Sequence, residues 1–155
     1  MDAVIQLYVD RLKHLRGRLK EAVQGMSVEE LNWVPPVPET NSAYVLAFHL
    51  PGSESVWIHQ VVGGREVPRD REAEFLATGD SAAALIERID EVAATSQDVL
   101  GKLSGEDLEQ IRSTPPHMPP NRVTVGWCIL HMIEHYAEHL GHLGLTKQLY
   151  EAKFP

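Results

Sequence analysis

Cysteine is nearly absent from this chain of 155 residues, because Cys128 is the only one. A single thiol cannot form a disulfide bond within the chain, so we expect no covalent cross-link in the fold. The same usage is compatible with a reducing compartment. A chain of this length can bury a sufficient core without such cross-links, and we expect residues 1–155 to form one domain.

Long apolar runs and basic patches are also missing. No window is apolar over the length of a membrane-spanning helix, and the N-terminal segment lacks a basic region followed by an unbroken apolar stretch. The formal net charge of -8 would be repelled by phosphate backbones and anionic lipids. The sequence therefore predicts a soluble, cytoplasmic protein without nucleic-acid or membrane partners.

Alternation of apolar and polar residues with the period of a strand is absent at convincing length, whereas helical spacing recurs in four long segments. We expect helices over Ala3 to Gln24, from Thr40, Asn41 or Ser42 to about Val62, from Asp80 or Ser81 to about Leu100, and over Val125 to Tyr150. Because two of the connections are long, the pattern predicts an all-α four-helix bundle with long crossover connections.

The segments between these helices carry weaker signals. Ser27 to Glu30 has the form of a capping box and predicts a short helix, and Thr124 can cap the last helix. Val67 to Thr78 is charged and lacks a clear period, so we expect a surface loop with room for a helical turn. Pro51 lies inside the second predicted helix, where the missing backbone N–H predicts a kink.

Half of the eight histidines lie in the last predicted helix, at His131, His135, His139 and His142. At about 100° per residue they fall within an arc of roughly 80°, so one face of the helix carries a stripe of imidazoles. Apolar residues project close to this stripe, and we expect the face to point into the core. These residues are Trp127, Cys128, Met132, Leu145 and Leu149.

Imidazoles in a core need either hydrogen-bond partners or a shared metal ion. His135 and His139 are one helical turn apart and can reach the same ion, and His49 in the second helix is the best candidate for a third ligand. Three neutral imidazoles with an open position are typical of a catalytic site rather than a structural one. The spacing alone leaves a hydrogen-bonded core as an equal alternative.

Two segments carry a family resemblance. Asn41 to Trp57 reads NSAYVLAFHLPGSESVW and His135 to His142 reads HYAEHLGH, and both are similar to the DinB/YfiT superfamily of small four-helix-bundle metalloenzymes. The resemblance implies a divalent metal, nickel, zinc, iron or manganese, bound by His49, His135 and His139, and it implies a homodimer. Relatives of this kind include bacillithiol or mycothiol S-transferases and a mycothiol-dependent maleylpyruvate isomerase. Pro51 departs from the helix-compatible residues that are usual at its position.

An open three-histidine site could bind a low-molecular-weight thiol as thiolate, or lower the pKa of a bound water to about 7. We therefore expect a metal-dependent enzyme that acts on a small molecule, as a thiol S-transferase or a hydrolase. The alternative is a non-catalytic bundle that binds metal or ligand, including a relative that has lost activity. A zinc protease is not expected, although H-x-x-E-H occurs twice in the last helix, because that fold needs a third ligand on a further helix.

The remaining candidates lie around these three histidines. Glu134 and Glu138 fall near the edge of the stripe, where either could orient an imidazole or remain solvated. Hydrogen bonding in the core, lining of a pocket, or a fourth metal ligand are open for His131 and His142. Pocket or packing roles are open for Ser53 and Trp57, which share the face of His49. Exposed positions are expected for the remaining histidines, His14, His59 and His117.

Overall fold

The computed structural model describes residues 1–154. Its helices are α1 (Ala3–Val23), α2 (Val28–Asn32), α3 (Ala43–Glu54), α4 (Arg71–Phe75), α5 (Ala83–Leu100) and α6 (Val125–Lys153). A π-helix over Ser55–Val62 continues α3, a 3₁₀ turn covers Glu106–Glu109, and β1 (Ile111–Ser113) pairs with β2 (Arg122–Thr124). The all-α fold predicted from the sequence is confirmed, apart from this two-stranded hairpin.

The four long helices pack as the bundle requires. α1 contacts α5 and α6, and α3 contacts the same two helices, so that the apolar faces of all four meet in one core. Fully buried side chains come from each of them, for example Leu12, Leu50, Ile89 and Ile129.

Side-chain caps fix where the predicted helices begin. The hydroxyl of Ser42 accepts a hydrogen bond from Val45 N–H and starts α3, and that of Thr124 accepts from Trp127 N–H and starts α6. Ser27 caps α2 in the same way. Because the four first N–H groups of a helix lack partners within it, such caps select the first turn. The helix α5 has no side-chain cap and begins at Ala83, later than predicted.

The helix that contains Pro51 changes its hydrogen-bond pattern instead of ending there. The α-helix runs to Glu54 and continues as a π-helix, and Gly63 N–H donates to the carbonyl of Ile58, five residues earlier. π-helical turns inside α-helices are frequent at functional sites. This one follows directly on the turn that carries His49 and Ser53.

Two local segments differ in detail from the prediction. In the charged segment Val67 to Thr78, where a loop with a helical turn was expected, the turn is the five-residue helix α4, which begins where the Asp70 carboxylate accepts from Ala73 N–H. The hairpin of β1 and β2 was not predicted, because strands of three residues are too short to show an alternating pattern. The first of these differences matters for function, since α4 packs against α3 beside His49.

The orientation of α6 also differs from expectation. Cys128 and Met132 are buried, but Leu145 and Leu149 are 55% and 42% exposed, and Trp127 is exposed too. The buried face is centred on Met132 and Tyr136, roughly a quarter of a turn from the stripe at about 100° per residue. The histidine stripe therefore lies at the edge of the core.

Within residues 1–154, none of the helices combines the length and the apolar character that a membrane crossing requires.

Candidate metal centre

Three histidines from two helices meet at the edge of the core. One ring nitrogen from each of His49 (on α3), His135 and His139 (both on α6) lies within 4.8 Å of the others. The Nε2 atoms of His49 and His135 are 3.3 Å apart. We call these three residues the histidine cluster, and they are the three that the sequence singled out as possible ligands.

The tautomer of His49 follows from its other nitrogen. Nδ1 of His49 lies 2.9 Å from a carboxylate oxygen of Glu74, and an ionised carboxylate can only accept. Nδ1 therefore carries the proton and donates it, which leaves a lone pair on Nε2 that points toward His135. A carboxylate behind a histidine is the usual arrangement at metal sites, where it fixes the tautomer and the orientation of the ring.

The spacing of the nitrogens fits a metal ion. Two metal–nitrogen bonds of about 2.0–2.1 Å that meet at a tetrahedral angle place their nitrogens about 3.4 Å apart. The 3.3 Å between the His49 and His135 nitrogens is close to this value. Nδ1 of His135 is buried and has no hydrogen-bond partner within residues 1–154. This nitrogen faces away from Nε2, so an ion bound at Nε2 would leave it a buried N–H without an acceptor, and it does not count toward the metal site.

Electrostatics keep two of the imidazoles neutral. Burial, together with the neighbouring histidines, lowers the pKa of His135 to about 3 and that of His139 to about 4. Neutral imidazole is the form that binds metal, because protonation occupies the lone pair. At neutral pH both rings therefore present nitrogen lone pairs.

Glu74 is held in place from the opposite side by Arg69. The guanidinium of Arg69 donates from Nε to one carboxylate oxygen at 2.9 Å and from Nη2 to the other at 2.7 Å. Burial alone would raise the pKa of Glu74, but the hydrogen bonds from His49 and Arg69 outweigh it and lower that pKa. Glu74 is thus an ionised, 3% exposed carboxylate that orients His49.

Sequence reasoning missed Glu74. Its segment carries no helical period, and only Asp70 before Arg71 to Phe75 could have indicated the short helix. The two glutamates considered instead, Glu134 and Glu138, are exposed, and neither side chain makes a hydrogen bond within residues 1–154. The carboxylate that meets a candidate ligand histidine therefore comes from α4 and not from α6.

A cavity of about 550 Å³ opens beside the cluster and is lined in part by His49 and His135. Ser53, Trp57 and His131 also line it, which is one of the roles left open for them. The ring of His131 stacks on Trp127, with centroids 4.8 Å apart, and meets Trp57 edge to face at 4.9 Å. We call this space the main cavity.

The other histidines divide between surface and core. His142 is exposed, and its Nδ1 lies 3.3 Å from Nδ1 of His139. The expected exposure of His14 and His117 is confirmed, and His117 lines the main cavity. The expectation for His59 is wrong, because its ring is buried, with Nε2 2.9 Å from the hydroxyl of Ser96.

Known proteins resemble this chain in sequence and in fold. Residues 11–143 match the family model described as the DinB superfamily. A conserved protein from Enterococcus faecalis has a similar structure, with a TM-score of 0.73 and 18% identity over 96% of this chain and 97% of that one. A DinB-like protein from Bacillus cereus also has a TM-score of 0.73, with 12% identity over 93% of this chain and 91% of that one. No curated protein matches the chain.

Proposed function

The chain belongs to the DinB superfamily, and from that premise we propose that it is a metal-dependent enzyme whose divalent ion is bound by His49, His135 and His139. The observation that carries the proposal is the 3.3 Å approach of two imidazole nitrogens, one from His49 and one from His135, with Glu74 bound to the other nitrogen of His49 so that the neutral ring presents its lone pair to His135. Imidazole ligands suit nickel, zinc and iron, whereas manganese prefers oxygen ligands.

The main cavity supports thiol transfer as the reaction. A bound divalent ion supplies Lewis acidity, which lowers the pKa of a thiol or a water that it binds. No carboxylate lines the cavity in residues 1–154, so the chain offers no acidic general base for activating water. A free thiol, with a pKa of about 8.5, loses its proton to the ion far more readily than water, whose pKa is about 15.7, so it depends less on such a base. We therefore place an S-transferase acting on a small molecule, with a low-molecular-weight thiol such as bacillithiol or mycothiol as cosubstrate, before a hydrolase.

The residues around the cluster would orient the reactants. Glu74 and Arg69 hold His49, while Trp57 forms an apolar part of the wall that excludes water. Holding two reactants in contact is itself a large part of catalysis, because it removes the entropic cost of their encounter.

Metal analysis of protein purified without a histidine tag tests the proposal. We expect near-stoichiometric metal in the wild type and in the control His14→Ala, whose imidazole is exposed on α1, and its loss in His49→Ala and His135→Ala. Loaded protein is then assayed for conjugation of thiols to electrophilic carbon compounds. If the folded wild-type protein takes up no divalent ion on titration, the proposal of a metal-dependent enzyme is refuted. Metal binding without thiol transfer would favour the non-catalytic bundle.

A further inference from the structure

We propose that the main cavity binds its substrate through an anionic group, a carboxylate or a tetrahedral oxyanion, and that the guanidinium of Arg71 recognises this group. The inference rests on the proposed function and names the chemical class of substrate for the same site.

The lining of the main cavity has a charge opposite to that of the whole chain. Arg69 and Arg71 line it, and no aspartate or glutamate does so within residues 1–154. The chain carries a formal net charge of -8, so its field as a whole repels anions. Cationic side chains gathered in one cavity of an acidic protein therefore indicate a local requirement for negative charge in the bound molecule.

The two arginines are not equivalent. Arg69 forms two hydrogen bonds with Glu74, so the carboxylate largely offsets its charge. Arg71 makes no hydrogen bond or ion pair with a protein group in the part of the chain that the structure describes. It is therefore the side chain with a full set of guanidinium donors available to a ligand.

Aromatic packing joins Arg71 to the histidine cluster through Phe75. Its guanidinium carbon lies 4.8 Å from the centre of the Phe75 ring, a cation–π contact. The Phe75 ring lies in turn 4.8 Å from the ring of His49. Two successive contacts thus link the positive charge to a candidate metal ligand and restrict the rotamers of a side chain that would otherwise be free.

The Arg71 guanidinium and the histidine cluster together suit a substrate with an anionic end and a separate reacting group. A guanidinium binds planar carboxylates and tetrahedral oxyanions through two parallel hydrogen bonds. Val56 and Trp57 give the same cavity apolar wall for the uncharged part of a ligand. A volume of about 550 Å³ accommodates a small molecule. A substrate held at its anionic end by Arg71 would have its reacting group directed to the cluster.

Cobalt-loaded protein and three thiols of equal length test the proposal. The probes are 3-mercaptopropionate, 2-mercaptoethanesulfonate and the neutral 2-mercaptoethanol, and binding is followed by the sulfur-to-cobalt charge-transfer band. We expect both anionic thiols to bind about 10-fold more tightly than the neutral one, and the preference to fall to about 2-fold or less in Arg71→Gln. The matched control Arg18→Gln, on the exposed face of α1, keeps the preference. If the preference arose because the anionic group of the probe binds cobalt directly, it would persist in both Arg71→Gln and Arg18→Gln.

A second measurement separates this inference from the proposed function. Propionate and ethanesulfonate lack the thiol, and at constant ionic strength they should raise the melting temperature of metal-free wild type and Arg18→Gln, but not of Arg71→Gln. If cobalt does not bind and this stabilisation is seen, the metal enzyme fails while the anion site stands. Metal binding with equal affinity for all three thiols, or a preference unchanged in Arg71→Gln, would overturn the anion site.

Discussion

Gly52 lies against the carboxylate of Glu74 with no room for a side chain between them. A Cβ atom at Gly52 would lie 2.9 Å from the carboxyl carbon of Glu74 and closer still to its Oε1. Real Cβ atoms do not approach carbon so closely, so the absence of a side chain on α3 is what allows Glu74 to reach His49. The position of the candidate ligand His49 thus depends on a glycine one turn further along its own helix.

Replacing Gly52 by alanine should weaken metal binding without unfolding the protein. The methyl group displaces the carboxylate that orients His49, and loss of such a partner costs about 10 to 100-fold in metal affinity. Competition with a chromophoric chelator measures the change. Gly17→Ala is the control, because a methyl group there meets nothing within 4 Å. Equal affinities in the two variants would show that Glu74 does not set the geometry of the site.

Glu74→Gln should lower metal affinity by about 10-fold or more, while Glu138→Gln should leave it nearly unchanged. The first variant removes the charge that His49 and Arg69 share, and the second alters an exposed carboxylate on the same helix as two of the candidate ligands. The same chelator competition measures both. A larger loss of metal affinity in Glu138→Gln than in Glu74→Gln would mean that a glutamate on α6, and not Glu74, orients a ligand imidazole.

The sequence predicts what depends on local pattern. The bounds of α3 and α6 follow from Ser42, Thr124 and the apolar period, and the three candidate ligands follow from one turn of helix and a single inner histidine. Glu74 could not be predicted in this way. Its contact with His49 joins residues 25 positions apart, and it depends on the close packing that a glycine permits.

The buried face of α6 is a second feature that the sequence could not predict. The stripe of histidines was correctly located in the sequence, but its direction was not, because a stripe at the edge of a core has the same period as one at its centre. Leu145 and Leu149 continue the stripe into solvent. Which side of a helix is buried depends on its neighbours, and here α1 and α3 contact a face centred nearer to Tyr136.

Cys128 should be unreactive in the folded protein. Its thiol is fully buried, and burial raises its pKa to about 12, so the nucleophilic thiolate is nearly absent at pH 8. We expect negligible reaction with a disulfide reagent such as DTNB under native conditions and one equivalent after denaturation. The raised pKa means that reactivity should remain low as the pH rises to 9. Rapid native labelling would show that the core around Cys128 opens easily.

A second buried carboxylate, Glu54, connects the four long helices. Arg16 on α1 donates to both of its oxygens, from Nε at 3.0 Å and also from Nη2. Tyr136 on α6 donates its hydroxyl proton at 2.7 Å, and Ser96 on α5 donates as well. Because every partner comes from a different helix of the bundle, the contribution of this group to stability can be measured separately from the histidine cluster.

Glu54→Gln should lower the free energy of unfolding at pH 7 by about 3–5 kcal/mol, since it leaves Arg16 with an uncompensated buried charge. Tyr136→Phe removes one hydrogen bond and keeps the ion pair, so it should cost about 1 kcal/mol. Urea denaturation measures both. A smaller loss in Glu54→Gln than in Tyr136→Phe would mean that desolvation of the ion pair offsets its attraction.

The pH dependence of stability in the wild type and Glu54→Gln tests whether ionised Glu54 stabilises the fold. Burial would raise the pKa of Glu54, but Arg16 and the two hydroxyl donors outweigh it and lower that pKa below the ordinary 4.5. On acidification the unfolded chain then takes up this proton first, so the stabilisation is complete above about pH 5 and is lost as pH falls through the folded pKa. The stability gap between wild type and Glu54→Gln should therefore narrow below pH 5. A gap that widens as pH falls from 7 to 5 would mean that the folded protein holds Glu54 protonated, and a gap that stays constant to pH 3 would mean that folding does not change its pKa.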